Sequence, residues 1–315
     1  MNLKLEDLPG VGEATAQKLR KAGILSVEDL AALSAREIAQ RVEGLSEDRA
    51  FSLAKEARRR LGIGIYTAKQ YLEKRRSQPK LSTGIRSLDE LLRGGLEPGI
   101  TELIGGYGTG KTQLCLQLCV TVQLPPEKGG LSGKAFFIDT EHTFSPDRIL
   151  AIAQRFELDG DSALENVLAT YAVNTDHQME LVHEAAQYVK RENVKLIIID
   201  SLTAHFRSEF PGRENLVARQ QKLNALIHQL IRLSMIYGVV VVVTNQILDI
   251  PECFPGMKPS KPAGGNIVAH GCTFRLWLER SKDLTKITIL DSPKHPRAST
   301  LVKLTEEGVV DADAS

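Results

Sequence analysis

From residue 82 onward the sequence predicts an α/β fold built on a mostly parallel central sheet. Short, mostly apolar runs recur at 100–104, 135–138, 167–172, 195–199 and 239–243. Stretches with helical spacing separate them at 86–93, 112–122, 146–156, 176–191 and 215–237. Strands that are apolar on both faces need helices on both sides, and parallel neighbours need crossover connections. Further strand-like runs at 273–278 and 286–290, with a helix at 265–269 and short connections, predict antiparallel additions near the end. Residues 1–60 hold only helical periodicity broken by cap and turn residues, which predicts a separate small all-α domain.

With 315 residues, 42% hydrophobic and 25% charged, the chain is long enough for two domains of ordinary globular composition. A net charge of +1 excludes a globally basic field, so any nucleic-acid contact has to use local patches. Four cysteines without a CxxC pair argue against a disulfide framework or a zinc site. Cys115 and Cys119 stand i,i+4, either as a ligand pair or as buried small hydrophobes; no second pair or nearby His supports the first. No leader is expected, and no apolar run reaches membrane length. The expected compartment is therefore the reducing cytoplasm, with no membrane partner.

In the first domain, Leu8-Pro9-Gly10-Val11-Gly12 precedes a helix in which Ala16 and Leu19 fall at helical intervals. Ser26 and Ser34 are N-caps, the second with a capping-box Glu37, and a further helix runs from Ser46 to Arg60. A Pro-Gly-Val-Gly turn between short helices resembles a helix-hairpin-helix, whose turn amides point at a nucleic-acid phosphate. Gly10 and Gly12 are thus candidate DNA contacts, against the alternative of a packing domain that touches nothing. Acidic and basic residues nearly balance over 1–60, so charge does not decide. Residues 61–80 are expected to be a linker. Its Ile65-Tyr66 pair is suited either to adding to a neighbour's sheet edge or to packing on its own chain.

The larger domain, 81–311, carries the chemistry. Gly105-Gly106-Tyr107-Gly108-Thr109-Gly110-Lys111-Thr112 fits G-x-x-x-x-G-K-[ST] between a strand and a helix, the context a phosphate-binding P-loop needs. Its glycines let backbone N–H groups crowd onto phosphate oxygens, Lys111 reaches the β and γ phosphates, and the Thr112 hydroxyl holds Mg²⁺. Gln113 continues the nucleotide contact. Ile197-Ile198-Ile199-Asp200 is an apolar strand ending in a carboxylate, where Mg²⁺ or its water needs an anchor. A second such strand ends Asp139-Thr140-Glu141; Glu141 is the candidate base for the attacking water, and Asp139 is either structural or a secondary metal-water contact. The apolar run 239–243 leads to Thr244-Asn245-Gln246, whose terminal amide can bond the γ-phosphate and register its loss. Two segments beyond these strands, 205–213 and 247–266, hold Arg, Lys, aromatic and glycine residues, the second with four prolines. They either track a single-stranded backbone or are solvated loops. The acidic end 311–315 is expected to be disordered.

Taken together with Asn174-Thr175-Asp176-His177-Gln178, Arg219-Gln220-Gln221-Lys222-Leu223-Asn224 and Asp291-Ser292-Pro293, these motifs run in the order seen in the RadA branch of the RecA-type recombinases, and the chain resembles that family along nearly its whole length. The resemblance implies a RecA-like P-loop ATPase core and ATP and Mg²⁺ as cofactors. It also implies a nucleoid-associated homo-oligomer, filament or ring, acting on single-stranded and double-stranded DNA. It places Arg207, Arg213, Phe254, Lys258, Lys261, Gly264 and Gly265 in two DNA-binding loops. It puts Asp291 and Pro296 over the nucleotide of a neighbouring protomer and His270 near the γ-phosphate at that interface. Self-association would run through a linker anchor that docks on a receiving strand. Here Ile65 stands where the family has Phe, with Ala68 retained, and the receiving strand carries Leu168, Thr170 and Tyr171 in place of an alanine-rich run with an Arg. After Glu141 the family's Gly-Thr-Phe-Arg is His142-Thr143-Phe144-Ser145. The expected function is ATP-dependent strand exchange. Its rivals are a non-exchanging recombinase paralogue that serves as a mediator, and a P-loop kinase or transporter ATPase, which would need neither the head domain nor the long second loop.

Overall fold

The computed structural model describes residues 3–249 and 260–313. The chain forms two bodies, Met1–Gln78 and Pro79–Ser315. The first is helical: α1 (Glu13–Lys21), α2 (Val27–Ala32), α3 (Ala35–Arg41), α4 (Glu47–Arg60) and α5 (Ala68–Ser77). Ser26, Ser34 and Ser46 cap α2, α3 and α4 by accepting from the backbone N–H three residues on, and Ser34 forms the full capping box with Glu37. Leu8, Leu19, Ile24, Leu30, Ile38 and Leu53 are fully buried between these helices. The positive φ of Gly10 (+79°) and Gly44 (+74°) makes two tight turns, one leading towards α1 and one towards α4. Arg49 of α4 donates to the Gly10 carbonyl at 2.7 Å, and Lys18 of α1 donates to the Glu43 carbonyl at 3.4 Å, so each turn is braced by the helix that follows the other. Thr67 and Gln70 form a capping box on α5, a helix with no buried residue.

The second body is built on strands β1 (Gly99–Gly105), β2 (Lys134–Asp139), β3 (Val167–Tyr171), β4 (Val194–Asp200), β5 (Val240–Asp249), β6 (Ser260–Pro262), β7 (Phe274–Ser281), β8 (Leu284–Asp291), β9 (Ser299–Thr305) and β10 (Gly308–Asp311). Their order is β10-β9-β8-β7-β1-β5-β4-β2-β3, parallel from β7 to β3 and antiparallel from β7 to β10. Strand β6 pairs antiparallel with the end of β5. The helices are α6 (Arg86–Leu91), α7 (Lys111–Thr121), α8 (Pro146–Arg155), α9 (Gly160–Glu165), α10 (Thr175–Arg191), α11 (Ala204–Glu209), α12 (Leu216–Tyr237) and α13 (Gly265–Gly271). Strand alternation splits the apolar residues into two cores. Leu103, Phe137, Ile198 and Val242 pack with residues of α6, α7, α8 and α9, while Ile100, Ile138, Ile199 and Val241 pack with residues of α10, α11, α12 and α13. Cys115 and Cys119 are free thiols buried in the first of these cores, the small hydrophobes of the two readings.

Two expectations need correction. The segment 205–213, read as irregular, starts with α11, which buries Phe206 against the sheet. Asp311 is no part of a disordered end: it closes β10, and its carboxylate accepts the backbone N–H groups of Arg86 and Ser87 at 3.0 and 2.9 Å, at the start of α6. Among the described residues no helix is long and apolar enough to cross a membrane.

Candidate active site

Strand β1 delivers the chain to Gly105 at the C-terminal edge of the sheet, between β5 and β7. A Cβ on Gly105 would stand 2.6 Å from the Leu278 carbonyl oxygen and 2.6 Å from Thr109 Oγ1, so only glycine fits. Gly108 and Gly110 have φ of +71° and +93°, the left-handed turns that fold the loop back onto α7. A Cβ on Gly108 would meet open space and one on Gly106 only the Ile247 side chain at 3.6 Å, and Tyr107 is fully exposed. Thr109 Oγ1 closes the loop by donating to the Gly106 carbonyl at 2.9 Å. Lys111 Nζ donates to the carbonyls of Gly105 and Gly106 at 2.9 and 2.7 Å. Burial lowers the Lys111 pKa, and the carboxylates of Asp200 and Glu141 pull it back up. Curved backbone amides, the start of α7 and one ammonium together suit a polyphosphate. The Gln113 side chain accepts from Arg148 Nε of α8 at 2.9 Å, so it is engaged within the protein.

Asp200 closes β4 in register with Asp139 at the end of β2. Its Oδ2 accepts from Thr112 Oγ1 at 2.6 Å and its Oδ1 from Thr244 Oγ1 of β5. Burial raises the Asp200 pKa, the two hydroxyls oppose that, and the carboxylates of Glu141 and Asp139 add to it. A desolvated carboxylate with a hydroxyl beside it, next to a phosphate cradle, is a donor set that a hard dication satisfies. Thr112 and Asp200 are therefore the residues able to hold Mg²⁺ or its waters. Both oxygens of Asp139 are spent on the chain itself, accepting from the N–H groups of Glu141 and Phe144 at 2.9 Å each. That fixes the turn from which Glu141 projects and gives Asp139 a structural role.

Glu141 meets two other strands. Its Oε1 accepts from Ser201 Oγ at 2.8 Å and from Gln246 Nε2 at 3.0 Å. Gln246, in register with Gly105, accepts in turn from Arg207 Nη1 of α11 at 3.2 Å. A bonded path thus runs from the candidate base through the candidate phosphate sensor to the first outer segment. Below it lies a buried frame. Glu102 of β1, with no exposed surface, accepts from Arg275 Nε at 2.6 Å and from Asn245 Nδ2 at 2.7 Å. Asn245 also donates to the Ala263 carbonyl at 2.7 Å and accepts from Thr203 Oγ1 at 3.0 Å. The frame ties the root of α11 to the root of the second segment. Thr244, Ser201, Glu102 and Arg275 did not emerge from the sequence as functional; the signal for the first two was their adjacency to motif residues.

The remaining candidates lie elsewhere. Arg213 is exposed beyond α11. Lys261 is exposed on β6, and Gly264 and Gly265, with φ of +80° and +62°, lead into α13, whose last turn carries an exposed His270. Phe254 and Lys258 lie outside the described residues. Asp291 ends β8, and Pro296 follows a turn in which Ser292 Oγ meets His295 Nδ1 at 2.8 Å. That turn is held by an ion pair from Lys294 to Glu97, whose second partner is Lys80 at 3.3 Å. Leu168 and Thr170 stand half-buried on β3, an edge strand. In the helical body, Gly10 and Gly12 flank the first turn; the second turn, at Gly44, was missed because no proline marks it. Ile65 is fully exposed, and Ala68 opens α5.

Residues 74–312 match the Rad51 family, and residues 3–59 match a SAM-like helix-hairpin-helix tandem. Members of the Rad51 family are DNA-dependent ATPases that use ATP and Mg²⁺. A match that takes in every strand of the sheet, on a site whose phosphate cradle and strand-end carboxylates sit in register, places this chain in the Rad51 family of RecA-type recombinases.

Proposed function

We propose that the chain is an ATP-dependent recombinase of the RadA branch, which assembles on single-stranded DNA and promotes homologous pairing and strand exchange in DNA repair. The observation that carries this reading is the bonded path from Glu141 through Gln246 to Arg207, because a strand-exchange ATPase needs its hydrolytic centre connected to its DNA face. In this mechanism the amides of the loop after Gly105 and the Lys111 ammonium bind the β and γ phosphates of ATP. Thr112 and Asp200 would hold Mg²⁺, which would supply positive charge to offset that of the phosphates. Glu141 takes the proton of the attacking water, and Gln246 turns its amide to the γ-phosphate. Arg207, Arg213 and Lys261 contact the DNA backbone, while Gly10 and Gly12 offer amides to a phosphate of the duplex. Asp291, Pro296 and His270 of the next protomer complete the nucleotide site, and Ile65 with Ala68 docks on the strand bearing Leu168 and Thr170 of its neighbour. Differential binding of ATP to the assembled state then favours the active oligomer, and hydrolysis releases it.

Strand exchange between a single-stranded circle and a linear duplex tests the proposal. The wild type exchanges strands only with ATP and Mg²⁺, and Lys111→Ala abolishes it. Exchange by Lys111→Ala at the wild-type rate would overturn the mechanism. A second reading, a paralogue that loads a partner recombinase without exchanging strands, is favoured by the exposed Ile65 in the anchor position and by Tyr171 on β3. DNA-stimulated hydrolysis without exchange would support it.

A further inference from the structure

The amide of Gln246 is committed at both ends. Its nitrogen donates to Glu141, at 3.0 Å to Oε1 and 3.3 Å to Oε2, and its oxygen accepts from Arg207 Nη1 at 3.2 Å. Glu141 Oε1 meanwhile also takes the Ser201 hydroxyl at 2.8 Å. A carboxylate oxygen that already accepts two hydrogen bonds has no lone pair left for a water, and an amide held between a carboxylate and a guanidinium is not free to turn to a phosphate. Arg207 is only half-buried, on a six-residue helix that leads directly into the glycine turn at Gly212 and the exposed Arg213. Its guanidinium is thus within reach of a ligand while bonded inward.

We propose that Arg207 is a positioning residue that latches Gln246 onto Glu141, and that a DNA phosphate releases the latch by taking the guanidinium. The inference rests on the recombinase reading above and goes beyond it by assigning Arg207 a restraining role when no DNA is bound. The exchange is favourable because the guanidinium leaves a neutral amide oxygen for a phosphate anion, and charge-assisted hydrogen bonds of this kind are roughly twice as strong as neutral ones. Once released, Gln246 can address the γ-phosphate, and Glu141 keeps the Ser201 bond but frees a lone pair for water. Linkage makes the effect reciprocal: a γ-phosphate that draws Gln246 away leaves Arg207 free for DNA, so ATP tightens DNA binding by the same factor by which DNA tightens ATP binding.

Steady-state ATP hydrolysis with and without saturating oligo-dT, and anisotropy of labelled oligo-dT with and without ATP, test this in the full chain. Loss of one hydrogen bond corresponds to about a two- to tenfold change in the equilibrium it restrains. Arg207→Met is therefore expected to raise DNA-free hydrolysis by about two- to tenfold, through kcat rather than KM, and to flatten the stimulation by oligo-dT. In the same variant ATP no longer tightens oligo-dT binding. Arg207→Lys, which keeps one donor and the charge, recovers part of both couplings. A DNA-free rate in Arg207→Met that stays at the wild-type value, with full stimulation at saturating oligo-dT, would reduce Arg207 to a phosphate contact and overturn the latch alone. A lowered DNA-free rate accompanied by a lowered Tm would make it structural and also overturn it. Wild-type hydrolysis that oligo-dT does not stimulate would remove the recombinase reading, and the latch with it.

Discussion

Arg275→Met probes the buried frame under the site. Glu102 is fully buried on the central strand β1, and Arg275 on the adjacent β7 is the only cation bonded to it, at 2.6 Å among the described contacts. The substitution preserves most of the apolar stem but leaves the carboxylate with a single neutral donor, Asn245. Breaking one side of a buried ion pair costs about 3–5 kcal/mol, several times the roughly 1 kcal/mol of a neutral hydrogen bond. Unfolding entropy near 2.1 cal/mol/K per residue gives about 0.5 kcal/mol/K for the body Pro79–Ser315, so Tm should fall by about 6–10 °C. Calorimetry of the full chain reads this shift. The double variant Glu102→Gln with Arg275→Met removes the charge as well as its partner, and it is expected to recover at least about half of the loss. A shift under about 2 °C in the single variant, or a double variant as unstable as the single one, would refute the claim that an uncompensated buried charge sets the cost.

Three further outcomes follow from the same geometry. Thr244→Val deprives Asp200 Oδ1 of its hydroxyl partner and should raise the Mg²⁺ concentration for half-maximal hydrolysis by roughly tenfold, about 1.4 kcal/mol, read in an Mg²⁺ titration. The Asp311 pKa is lowered: burial alone would raise it, but the bonds from Ser87 and Arg86 and the charge of Arg155 win. A depressed folded-state pKa contributes stability that is fully present above the ordinary carboxylate value and lost as pH falls through the folded one. Asp311→Ala should therefore lower Tm at neutral pH, by the ~0.5–2 kcal/mol of a lost helix cap, and the difference from wild type should close below that range in a pH series of melts. Ile65→Ala should weaken ATP-dependent assembly by roughly tenfold or more in light scattering, since burying an Ile side chain is worth about 1.5–3 kcal/mol; unchanged assembly would count against the linker as the joint.

The parallel half of the sheet was legible because its strands are mostly apolar runs, and β2 and β4 end in a carboxylate, a pattern that marks both the element and its chemically useful end. Alternation within Thr244-Asn245-Gln246 explains what was read and what was missed. Thr244 and Gln246 face Asp200 and Glu141, while Asn245 faces Glu102 and Ala263, and only the terminal amide looks functional in sequence. The frame of Glu102 and Arg275 was hidden because its members are 173 residues apart, and a lone Glu in an apolar strand gives no sign of its partner. Asp311 was misread for the same reason: its two backbone partners lie 225 and 224 residues upstream. Helix α11 escaped because its six residues bury one side chain, Phe206, and the Pro211-Gly212 turn beyond it dominates the local signal. Strand β9 is exposed or half-buried at all but one residue and interrupted by polar residues, and β10 is only four residues long, so no apolar run announced them.

The groups aimed at a nucleotide are bonded to one another. Lys111 holds the carbonyls of Gly105 and Gly106, Asp200 holds two hydroxyls, Glu141 holds Ser201 and Gln246, and Gln246 is held by Arg207. A ligand that enters such a site exchanges hydrogen bonds rather than adding them, and each exchange nets only about 1 kcal/mol unless a charge is involved. The binding free energy is then distributed over several small exchanges, and every bond that breaks frees a group on a neighbouring strand. Coupling between nucleotide and DNA therefore needs no large displacement: the ends of β1, β2, β4 and β5 can stay in register while their side chains change partners. The buried frame makes this workable. By fixing the roots of α11 and of the segment that returns at Ala263, it confines the change to the side chains above, so the exchange at Gln246 reaches Arg207 instead of dissipating in the backbone.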